Sequence, residues 1–114
     1  GVACTLVISD GIQTEFVQEM VEKVKAVRHP QLAVQARSSL TVPFDALVSP
    51  YYTPLLHGLA KQHIRALYGL AKDRWGHAWW NTYYDTILCY GNTTAGRADI
   101  QGSAVAVGNP RFDD

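Results

Sequence analysis

No apolar run in this 114-residue sequence approaches the ~20 residues that a membrane-crossing helix needs, so no membrane span is predicted. Net charge is missing too. Lys and Arg balance Asp and Glu, and general attraction to nucleic acid or an anionic membrane has no basis. The spacings that announce chemistry are also lacking. There is no Cys-x-x-Cys or His-Glu-x-x-His, and none of His29, His57, His63 and His77 makes an i, i+4 pair with another, which argues against a locally built zinc site. No phosphate-cradling Gly-x-x-x-x-Gly-Lys or dinucleotide fingerprint occurs, and Ser38-Ser39 lacks the turn that presents a serine nucleophile. No cofactor or metal is therefore implied.

Cysteine is scarce, but Cys4 and Cys89 make an even pair, and Asn92-Thr93-Thr94 is an N-glycosylation acceptor. Together they predict a secreted chain with a Cys4–Cys89 disulfide and a glycan on Asn92. Such a bridge would close a loop of roughly 85 residues, worth about 4.5 kcal/mol in the chain-entropy account. Two buried free thiols are the other reading. The chain opens Gly1-Val2-Ala3-Cys4 without methionine or a signal peptide, as at a processed end or a cloning scar.

What is present is apolar periodicity, with 47% hydrophobic residues, enough for a single compact domain over 1–114. Residues 3–9 are an apolar run rich in β-branched residues and bounded by Asp10-Gly11, which predicts a buried strand. Ile12, Phe16, Met20, Val24 and Val27 make a helical stripe over 11–28, capped at Asp10 with Gln13 and ended by His29-Pro30. Leu32–Arg37 reads as a second strand, parallel to the first through a right-handed crossover. A short extended piece follows at 39–42, between prolines.

The strongest pattern is 53–76. Thr53 suits an N-cap and Pro54 the first helical position; Leu56, Ala60, Ile64, Leu67, Ala71 and Trp75 recur at spacings of three and four, and Gly76 suits the C-terminal break. A central half-buried helix is predicted there. In 79–88 two rules disagree. Paired apolar residues at a period near four favour helix, while Trp, Thr, Tyr and Ile favour strand. Strand is preferred, as the first arm of a hairpin through the glycine-rich turn 91–96 to a strand within Asp99–Val107. The expected architecture is α+β, in the order β-α-β-(β)-α-β-β. Two amphipathic helices pack on one face of a mostly antiparallel sheet of four to five strands.

Aromatic residues exceed what such a core needs. Trp75, Trp79, Trp80 and Tyr83, beside Lys72, Arg74 and Arg97, form the candidate binding surface; core and rim packing is the plainer account of the same rings. Three functions follow as expectations. The first is a secreted, disulfide-closed interaction module, toxin- or effector-like and cut from a precursor, that binds a protein or a cell-surface glycan. The second is a small hydrolase or transferase in which Asp85 orients His77 as a general base. The third is an assembly subunit that pairs with itself or a sister chain.

Overall fold

A computed structural model of the chain describes residues 2–8, 15–27, 32–41, 43–50, 52, 54–67 and 77–109. The chain divides into two compact units, Gly1–Val42 and Pro43–Asp114.

The first unit is a parallel strand pair and one helix. Strand β1 (Cys4–Ile8) pairs with β2 (Leu32–Ala36), Cys4 opposite Leu32 and Ile8 opposite Ala36, and helix α1 spans Glu15–Ala26 between them. These elements fall where the sequence predicts them, and the predicted caps at Asp10 and Gln13 lie outside the described residues. On α1, Val21 and Val24 are half-buried one turn apart, while Glu19, Glu22, Lys23 and Lys25 are exposed. Glu19 and Lys23 form an i, i+4 ion pair of 2.7 Å. After β2 the chain makes a 3₁₀ turn at Arg37–Ser39, closed by Leu40 N–H donating to the Arg37 carbonyl at 3.3 Å. This replaces the start of the extended piece predicted at 39–42.

The second unit overturns the expected antiparallel sheet. Strands β3 (Phe44–Ser49), β4 (Ala60–Ala66), β5 (Thr86–Cys89) and β6 (Ala104–Ala106) lie side by side in that order, and every neighbouring pair is parallel. The predicted hairpin fails because helix α2 (Asn92–Ala98) occupies the supposed glycine-rich turn and makes the link from β5 to β6 a crossover. The predicted central helix fails as well. Within 53–76 the described residues form a 3₁₀ turn at Pro54–Leu56 and then β4; 68–76 lie outside them. Gly58, with φ +76°, turns the chain between the two, a conformation that a side chain would resist. Over 79–88 each competing signal holds for half the stretch: Trp79–Tyr83 is a 3₁₀ helix and Thr86–Cys89 a strand.

Register sorts the residues of this sheet onto two faces. Leu47, Ser49, His63, Arg65, Ile87, Cys89 and Ala104 share one face, which the 3₁₀ helix 79–83 and α2 cover. Its core is Tyr84, Ile87, Cys89 and Ala98, all but inaccessible, with Tyr52, Leu67, Tyr83, Ala95 and Ala104 packed around them. The opposite face carries Val48, Ile64, Thr86, Leu88 and Val105. There Val48 and Val105 are 58% and 48% exposed. At the solvent-exposed starts of β3 and β4 Lys61 donates to the Asp45 carboxylate at 2.9 Å, tying the two strands and holding that carboxyl below its ordinary range.

The expected Cys4–Cys89 disulfide is not formed. Both thiols are free, Cys4 exposed on β1 and Cys89 buried on β5. Cys89 belongs to the apolar core of the second unit, where burial pushes its thiol pKa up. Among the described residues, no helix is long and apolar enough to cross a membrane.

Candidate ligand-binding site

Two segments of the second unit bring rings together over the covered face of the sheet. One is the connection from β3 to β4, which carries Tyr52 and His57. The other is the 3₁₀ helix before β5, which carries Trp79, Trp80 and Tyr83. Local chemistry explains both paths. Pro54 suits the start of a short helical turn, His57 N–H donates back to the Pro54 carbonyl at 3.1 Å, and left-handed Gly58 then releases the chain into β4. In the second segment Thr82 Oγ1 donates to the Trp79 carbonyl at 2.8 Å, and Asn81 N–H donates to the Ala78 carbonyl at 3.0 Å, so the turn is closed at its start and its middle.

Tyr52 is the hub. Its ring centre lies 5.8 Å from Trp79 and 5.4 Å from Tyr83, both edge to face, and 6.4 Å from Trp80 in a nearly parallel plane. Edge-to-face contact at these separations is the arrangement that aromatic quadrupoles favour. His57 stacks on Tyr83 with centres 4.4 Å apart, and its Nε2 is 3.0 Å from the Tyr52 hydroxyl. Tyr83 also meets β4, where His63 is buried and shares a hydrogen bond with the Tyr83 hydroxyl at 3.0 Å. The rings are ordered from buried to open: Tyr84 is inaccessible, Tyr52, Trp80 and Tyr83 are half-buried, His57 is exposed, and Trp79 is 68% exposed.

Beneath the rings lies a buried polar layer. Arg65 on β4, almost fully buried, donates through Nη1 to Asn81 Oδ1 and through Nε to the Pro50 carbonyl at 3.5 Å. Asn81 Nδ2 donates in turn to the Ala98 carbonyl of α2 at 3.1 Å. Ser49 and Tyr84 share a further hydrogen bond of 3.1 Å. Burial is the main cause raising the Tyr84 and Tyr83 phenols above their ordinary pKa, partly offset at Tyr84 by the Ser49 hydrogen bond and the Arg65 charge. Both phenols are neutral near neutral pH. Buried polar groups tolerate such a position only when paired, and this layer is extensively paired.

The predicted site residues divide. Trp79, Trp80 and Tyr83 come together. Lys72, Arg74 and Trp75 lie outside the described residues. Arg97 sits exposed in the last turn of α2, where positive charge suits the helix end. Asn92 is the exposed first residue of α2. His77 is half-buried in the turn before the 3₁₀ helix. Asp85 is engaged with β4: its Oδ2 accepts from His63 N–H at 2.7 Å and its own N–H donates to the His63 carbonyl at 2.9 Å. Tyr52, His57 and His63 join the site without having been candidates. Their signal was Pro54 and Gly58 bracketing a tight turn, which marks a chain reversal next to Tyr52 instead of a helix start. Among the described residues, no group of three or more His, Cys, Asp or Glu could hold a metal ion. No protein-family model, curated protein or solved structure matches this chain.

Proposed function

We propose that the second unit is a binding module whose site is the ring cluster of Tyr52, His57, Trp79, Trp80 and Tyr83, and that its ligand is a glycan. The observation that carries this is Trp79: an indole mostly open to solvent, yet gripped edge-on by Tyr52 and by Trp80 at 5.8 Å each. A ring held in place before binding loses little freedom on contact, which favours affinity. The C–H face of a sugar stacks on such an indole, and the Tyr52 hydroxyl with His57 supplies hydrogen bonds at the margin. An extracellular setting rests on the Asn92 acceptor alone, now that both thiols are free.

The test is an immobilised glycan array probed with the labelled full chain and with Trp79→Ala. The substitution should weaken binding at least ~10-fold, as for a central aromatic anchor, with little change in stability. No bound glycan in the wild type, or equal binding by the variant, rejects the reading. Binding to a protein in place of any glycan would show the other class of target.

A second reading is favoured by one contact. Among the described residues, His57 is the exposed histidine, its ring oriented by Tyr52 and by stacking on Tyr83. A hydrolase or transferase would use it as general base, in place of the His77 and Asp85 pairing. His57→Gln should then lower turnover of an activated acyl or glycosyl donor by about 10²-fold or more. Unchanged turnover removes His57 from the chemistry.

A further inference from the structure

The two ring-bearing segments are joined underneath by a single guanidinium. Arg65 reaches the Pro50 carbonyl, two residues before Tyr52, and the Asn81 side chain, within the helical turn that carries Trp79, Trp80 and Tyr83. A planar donor fork reaching two acceptors in different directions holds them at a fixed distance, as a flexible ammonium does not. Asn81 is fully buried, and both side-chain polar atoms are used, one toward Arg65 and one toward Ala98.

We propose that Arg65 and Asn81 are a positioning pair that sets the separation between Tyr52 and the two tryptophans, and so determines what the site admits. The proposal rests on the ligand-site reading for its purpose but not for its geometry. It makes the buried layer a specificity device: shifting Asn81 moves the Trp79 and Trp80 side of the cluster while Tyr52, tethered through Pro50, stays.

Two substitutions separate this from a merely structural role. Asn81→Leu removes both links, whereas Asn81→Asp keeps an acceptor for Arg65 and removes the donor to Ala98. Near-ultraviolet circular dichroism reads the mutual orientation of the tryptophan and tyrosine rings, and the same glycan array reads binding. In Asn81→Leu the ring signal should largely vanish and array binding fall at least ~10-fold, while in Asn81→Asp both stay within about twofold of wild type. An Asn81→Leu chain that folds with an unchanged ring signal overturns the proposal. So does an Asn81→Asp chain that folds but loses the signal, because the link to Ala98 would then be the positioning contact. If either Asn81 variant does not fold, Arg65→Lys, which keeps the buried charge but lacks the fork that reaches both acceptors, takes its place: a weakened ring signal supports the proposal and an unchanged one overturns it. If the ring signals behave as expected but the wild type binds no glycan, the positioning pair stands and the glycan reading falls.

Discussion

The two units hold themselves together by different means. In the first, the helix is laced by exposed ion pairs and the two parallel strands are joined by their backbone ladder. The second buries Leu59, Tyr84, Ile87, Cys89 and Ala98 together with Ser49, His63, Arg65 and Asn81, so apolar and polar side chains share its interior. Surface pairs and one helical stripe are local devices. A buried guanidinium between segments sixteen and fifteen residues away in the chain is not. Substitutions in the second unit should therefore propagate, and those in the first should stay where they are made.

Thiol chemistry should separate the units most. With no reductant present, Cys4 should react promptly with a disulfide reagent at neutral pH. Cys89 should lag by ~10³-fold or more, because it needs an opening of the core and is held protonated there. Equal rates would break the contrast, and no free thiol at all would restore the disulfide. Next in size is core truncation. Ile87→Ala should cost about 2–5 kcal/mol in chemical denaturation, and Val24→Ala on half-buried α1 under about 1.5 kcal/mol. Comparable losses would mean that the first unit has a core of equal worth.

Alkaline pH should act on the second unit. Cys89, Tyr83 and Tyr84 all have folded-state pKa values raised by burial, so the unfolded chain ionises first. Their contribution is intact below the ordinary thiol range and is lost as pH rises through the thiol and phenol ranges. The melting temperature should fall as pH rises above about 8.5, the ordinary thiol value, and Cys89→Ala should flatten the first part of that fall. A melting temperature that is level up to pH 11 contradicts it. The smallest effect belongs to α1. Glu19→Gln should cost less than about 0.5 kcal/mol and become silent in high salt, read by circular dichroism during melting.

The same contrast explains what could be read from the chain alone. In β1, α1 and β2, each element announces itself through its own periodicity, and prediction and structure agree. In β4 the residues turned into the covered face are His63 and Arg65, while Ile64 and Ala66 point to the other. The apolar residues therefore sit at helical spacing by coincidence, and the polar ones are buried because Asn81, Tyr83 and Pro50 meet them from elsewhere. No window of local sequence contains that information. The site follows suit. Trp79, Trp80 and Tyr83 are legible as a surplus of rings, but their partners Tyr52 and His57 arrive by a chain reversal at Gly58 that a helical reading hides.

β3 to β6 advance across their sheet in one direction, each strand lying beside the next in sequence, and on the covered face the helical turn 79–83 and α2 pack against them. Such a layer has a finished front and a greasy back. Its front carries the indoles and imidazoles; its back offers solvent the bare methyl groups of Val48 and Val105. Uptake of a hydrophobic dye by the folded chain would then report those exposed valines and not damage.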